Sequence, residues 1–166
     1  MSFSPQMIII VTVCFLSAAA FILYLLYRRS ALQRLAAIPG EIVICEERDV
    51  AVVEKRIRYY RYGRCLARLT DRRIVIAQKL PLSTIGYLLR FVIDYHASKP
   101  GIDLAAMIKK GYVPAGVRPQ QVTVTPEGSG ASVTIDIRDS GGKTSRVLSF
   151  ATRRAGEYQR IFSGEK

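Results

Sequence analysis

The chain reads as mainly β: a single transmembrane helix, then a partly open seven-stranded antiparallel barrel capped by a C-terminal helix. Three observations predict this. Residues 7–27 carry no charge and are long enough to cross a bilayer. Short runs of β-branched and aromatic residues, separated by turn residues, occupy most of 41–150. Apolar residues then recur at helical spacing up to Phe162.

The run 7–27 has Thr12, Ser17 and two tyrosine hydroxyls as its only polar side-chain groups. As a helix it would be roughly 30 Å long, the thickness of a bilayer's hydrocarbon core. The hydroxyls of Thr12 and Ser17 are able to bond back to a helix carbonyl. Tyr24 and Tyr27 stand where interfacial aromatics belong, and Arg28, Arg29 and Arg34 follow. The positive-inside rule would then place the N-terminus outside and everything after Arg28 in the cytoplasm. A cleaved signal peptide fits poorly, because no basic residue precedes the run and its small residues lie mid-span.

Lys plus Arg number 25 against 13 acids, a net charge of +12 over 166 residues. Such an excess points to an anionic partner, either acidic lipid headgroups or nucleic acid, and an anchor would favour lipid. Cys14, Cys45 and Cys65 are odd in number and lack metal-site spacing, so neither a disulfide framework nor a zinc site is expected. The expected organisation is 1–29 for the N-terminal segment and span, 30–40 for an arm ending at Pro39-Gly40, and 41–166 for one cytoplasmic domain.

Within that domain, 50–53, 57–62, 65–69 and 73–77 read as strands, with a break at Gly63 and a turn at 70–72. Residues 81–95 fit either a helix or a strand. The strand aligns Ile85, Tyr87, Leu89, Phe91, Ile93 and Tyr95 on one face, and it is the longer match. Asp103 begins a short capped helix with Lys109 and Lys110 in its last turn and Gly111 beyond. Pro114, Gly116 and Pro119 mark a loop, so 96–119 reads as an insertion. Residues 122–125, 132–138 and 146–150 are three further strands. Ala151, Ala155, Tyr158 and Phe162 line one face of a closing helix.

The segment 63–76 (Gly-Arg-Cys-Leu-Ala-Arg-Leu-Thr-Asp-Arg-Arg-Ile-Val-Ile) resembles the glycine, strand, Leu-Thr-Asp/Asn-Arg-Arg turn and strand of pleckstrin-homology-like domains, including GRAM and bacterial PH-like domains. Four strands, three strands and a terminal helix agree with that resemblance. Thr70 and Asp71 would bond to backbone in the turn, with Arg72 at its polar tip. Lys55, Arg56 and Arg58 resemble the basic pattern that lipid-binding members of the superfold place on their first hairpin, and Arg61 and Arg64 would lie near its tip. Arginine forks suit phosphate oxygens, and the interleaved tyrosines would form an interfacial shelf.

No catalytic set is visible. His96 is the sole histidine, which excludes a two-histidine metal site. A Cys65–His96 nucleophile pair would need a proximity that spacing does not supply. Gly-x-Ser-x-Gly and phosphate-loop motifs are absent. The expectation is therefore a non-enzymatic, single-pass membrane protein without cofactor or metal. It would dock on anionic lipid headgroups, on membrane-associated proteins or on both, with no small-molecule substrate. An accessory subunit of a membrane complex is the alternative, and nucleic-acid binding ranks last.

Overall fold

The computed structural model describes residues 5–35, 40–80, 86–139 and 144–162, without the side chains of 5, 8, 26–35 and 144. The chain forms two compact units, Met1–Ala36 and Ala37–Lys166. Pro39, Leu82, Ile85, the turn at 140–142 and the side chains of Tyr27, Arg28, Arg29 and Arg34 lie outside the described residues.

The first unit is one helix, α1, Pro5–Leu35. Its described apolar side chains are exposed on every face, Phe15 at 72% and Leu16 at 61% among them. The Ser17 hydroxyl donates to the Val13 carbonyl at 2.8 Å, the back-bond expected of a serine within a helix. Among the described residues, however, no helix is long and apolar enough to cross a membrane. The expected transmembrane helix is corrected accordingly. With it go the single-pass topology, the outside N-terminus and the cytoplasmic placement of the domain, which leaves the membrane-flanking role expected of Tyr24, Tyr27, Arg28, Arg29 and Arg34 without a test.

The second unit contains nine strands and two helices among its described residues. In chain order these are β1 Val43–Lys55, β2 Tyr59–Thr70, β3 Arg73–Lys79, β4 Tyr87–Asp94, β5 Gly101–Ile102, α2 Leu104–Lys110, β6 Val113–Gly116, β7 Val122–Glu127, β8 Gly130–Arg138, β9 Thr144–Thr152 and α3 Ala155–Phe162. They build one sheet in the order β5-β6-β4-β3-β2-β1-β9-β8-β7, curled into a half-barrel. Neighbours are antiparallel except β4 and β6, which run parallel. The expected PH-like architecture of a spanning helix and seven antiparallel strands is thus corrected to a nine-stranded mixed sheet. The difference arises in 96–119: a parallel neighbour for β4 requires a crossover, and that segment supplies it through β5 and α2.

Local chemistry explains most of these elements. Asp103 caps α2 by accepting from the Ala106 amide at 2.8 Å, and Gly111 closes it in the left-handed region at φ 70°. Thr70 Oγ1 accepts from the Arg73 amide at 2.9 Å, and Asp71 Oδ1 accepts from the Ile42 amide at 3.0 Å, fixing the β2–β3 turn. Residues 87–94 adopt the strand alternative, with Leu89, Phe91 and Ile93 buried on one face. Ala151 belongs to β9, so the last helix begins at Ala155 instead.

Curvature comes from β1 and β2. Their register slips between Glu47 and Val50 and again between Val50 and Val52. Asp49 and Arg64 occupy these bulges at φ 60° and 52°. Gly63 therefore does not end a strand; β2 runs through it and bends. Bulges sharpen twist and bend a strand, which lets the long hairpin wrap a core. That core contains Val52, Leu69, Ile74, Ile76, Phe91, Ile93, Ile135, Ile137 and Leu148, all buried. At one end Tyr158 of α3 enters it, its ring 5.9 Å from that of Phe150.

Leu69 has no exposed surface. Leu69→Ala should lower unfolding free energy by about 2–5 kcal/mol in urea titration. Burial raises the Cys65 thiol pKa to about 11, and Cys45 is also raised, chiefly by burial. Thiol labelling near neutral pH should therefore modify these two cysteines only after denaturant is added.

Candidate functional site

At the turn end of the β1–β2 hairpin, the inward side of the sheet carries a charge. Strand alternation places Val52 and Glu54 on the core face of β1, and Glu54 has no exposed surface. A carboxylate there must be compensated. Three groups do this. Arg56 Nε and Arg146 Nη1 both donate to Glu54 Oε1, the latter at 3.0 Å, and the Tyr62 hydroxyl donates to Oε2 at 2.7 Å. The partners come from the hairpin loop, from β9 and from β2, so one carboxylate ties three segments together.

The charges do not cancel. Two guanidiniums share one carboxylate, and Arg146 is itself buried. The Arg146 Nη2 donates to the Met107 thioether at 3.6 Å, a weak acceptor. Burial, then the neighbouring Arg56, pull the Arg146 pKa below its ordinary value despite Glu54. Burial and the hydrogen bond to Glu54 push the Tyr62 phenol up to about 12.

Beside this network the hairpin diverges from the start of β9 and opens a cleft of about 450 Å³, lined by Lys55, Arg56, Ile57, Ser145, Arg146 and Val147. Cations therefore stand on both walls; the Ser145 hydroxyl, on the same stretch of β9, is engaged with the Ile137 carbonyl at 3.1 Å. Lys55 Nζ lies 5.6 Å from the Tyr59 ring centroid and the Arg56 guanidinium 5.4 Å from that of Tyr60, so the tyrosines steady both side chains. Ile57 projects fully exposed at the tip, next to Tyr59 at 71%.

Of the five basic residues singled out from sequence, Lys55 and Arg56 meet at this cleft. Arg58 is exposed in the loop, where its carbonyl accepts from the Arg56 amide at 3.0 Å. Arg61 is exposed and alternates with Tyr62, which puts it on the other face of β2. Arg64 occupies the bulge farther along β2, away from the tip. Sequence reasoning missed Glu54 and Arg146. A charged residue at the core-facing position of a strand was the available signal for both: Glu54 lies two residues after Val52, and Arg146 two before Leu148.

Cys65 Sγ faces the carbonyl oxygens of Tyr62 and Gly63, while His96 packs against Tyr95 with ring centroids 4.9 Å apart. Among the described residues no cluster of His, Cys, Asp or Glu is arranged to hold a metal ion. No family model, curated protein or solved structure matches the chain.

Removing the Glu54 charge leaves two guanidiniums facing each other in a buried site. Glu54→Leu should cost about 3–5 kcal/mol in chemical denaturation, and adding Arg146→Met should restore much of the loss. Tyr62 adds a pH dependence. Its folded pKa lies above the ordinary value near 10, so its contribution is whole below about pH 10 and is lost as pH rises through about 12. Tyr62→Phe should reduce the alkaline loss of stability, followed by circular dichroism from neutral pH upward.

Proposed function

We propose that the second unit is a non-catalytic binding module that receives a phosphate-bearing anion in the cleft between the β1–β2 loop and β9. The single observation behind this reading is the charge balance at the cleft: Lys55, Arg56 and Arg146 line it, and the one carboxylate that Arg56 and Arg146 share already has its oxygens engaged. An entering anion would be offered the guanidinium of Arg56 and the ammonium of Lys55. Charge-assisted bonds of this kind are roughly twice as strong as neutral ones. It would also relieve the repulsion between Arg56 and Arg146 that lowers the Arg146 pKa.

The rest of the surface favours the same ligand class. The net charge of +12 draws anions toward the protein at long range. Arg58 and Arg61 are exposed near the tip, where they would add attraction without fixing geometry. Binding, and not turnover, is the role these groups suit. The cleft offers fixed cations, and its one carboxylate is held by three donors, which leaves no free general base beside the anion position.

Titration calorimetry of the full chain with inorganic pyrophosphate tests the reading. Saturable binding is expected, weakened about 10-fold by Lys55→Ala, a change of about 1.4 kcal/mol. It should also weaken steeply with added salt. Absence of saturable binding would refute the proposal. Phosphatidylcholine vesicles with and without a phosphomonoester lipid separate the two sources of such a group: retention on the second alone means that a lipid headgroup also satisfies the site.

A further inference from the structure

A second cleft, of about 250 Å³, opens on the other side of Arg56. Tyr62 and Phe91 form one wall, packed edge to face with ring centroids 5.8 Å apart. Met107 of α2 and Tyr112 supply the opposite side, where the left-handed cap at Gly111 adds backbone without a side chain. Arg90 stands at the rim. Its guanidinium lies 5.3 Å from the Tyr62 ring centroid and is held by two bonds to Gln78 Oε1, at 2.9 and 2.7 Å.

We infer that the two clefts form one site for an aromatic phosphate, with the phosphate in the Lys55/Arg146 cleft and the ring in the Tyr62/Met107/Tyr112 cleft. This rests on the anion reading above and adds the class of molecule that carries the anion. Three observations support it. Arg56 is a wall of both clefts, and Met107 of the second lies 3.6 Å from Arg146 of the first, so the two clefts are neighbours. Glu54 fixes both at once, holding Arg56 and Arg146 through Oε1 and Tyr62 through Oε2, so the cationic and aromatic walls share one anchor. The chemistry of the second cleft suits a flat π system: tyrosine edges, a polarizable thioether and planar guanidiniums all favour an aromatic ring. Its volume lies below the roughly 300–1,000 Å³ of pockets that hold whole small ligands, as a subsite for one ring would.

The parallel strand β6 and helix α2 acquire a purpose on this view. Both come from 96–119, and they bring Met107, Tyr112 and Val113 beside the barrel mouth. Without them the cationic cleft would have no apolar neighbour on that side.

Calorimetry on the full chain with inorganic phosphate, phenyl phosphate and phenol decides the matter. Phenyl phosphate should bind about 10-fold or more tighter than inorganic phosphate, with phenol much weaker than either. Tyr112→Ala should erase that advantage and leave inorganic phosphate binding unchanged, whereas Lys55→Ala should weaken both phosphates. Equal affinity of the two phosphates for the unaltered protein would overturn the inference while the anion reading stands. If neither phosphate binds, the anion reading falls and this inference falls with it. The comparison in the unaltered protein is decisive even where a variant fails to fold.

Discussion

A carboxylate without exposed surface sits at the mouth of the half-barrel, and much of this end of the domain is arranged around satisfying it. Burying Glu54 alone would cost several kcal/mol. Arg56, Arg146 and Tyr62 meet that cost together. The bonds join the hairpin loop and β2 to β9, an element far away in sequence. Replacing the whole group with apolar side chains would serve stability as well or better. The proposed anion site would give the surplus guanidinium charge a role that stability alone does not.

The position of that charge depends on how the sheet bends. Asp49 and Arg64 bulge β1 and β2 before the strands reach their turn. Between the second bulge and the tip, Val52 and Glu54 face inward, opposite Tyr62 and Tyr60. A slip of one residue would turn Glu54 outward to solvent and put Lys55 in the core. The bulges are therefore part of the site. They set which member of Glu54-Lys55-Arg56 is buried and which two line the cleft.

Legibility in the sequence varied with the range of the interaction that decides each feature. The α2 caps, the Thr70 bond in the β2–β3 turn and the alternation of Val133, Ile135 and Ile137 depend on neighbours a few residues away, and they were readable, whereas Asp71 bonds the distant Ile42 amide. Strands β5 and β6 were not. Val-Pro-Ala-Gly has no strong strand signature, and it pairs only because α2 returns it alongside β4. The cationic cluster was readable as composition but not as geometry: Arg61 and Arg64 looked equivalent to Lys55 and Arg56 until strand face and bulge separated them. Hydropathy made the apolar run in α1 look sufficient for a crossing, yet among the described residues no helix is long and apolar enough for one.

By itself the sequence determined that this is a basic, mainly β protein with a long apolar N-terminal helix, a capped short helix and a closing amphipathic helix. Charge, alternation and capping are properties of consecutive residues, so they can be read in one dimension. Only the tertiary structure decided that Glu54 and Arg146, on strands at opposite ends of the domain's sequence, share a hydrogen bond, and that two clefts meet at Arg56. Those facts depend on strand order and register, which are set by the packing of the whole core.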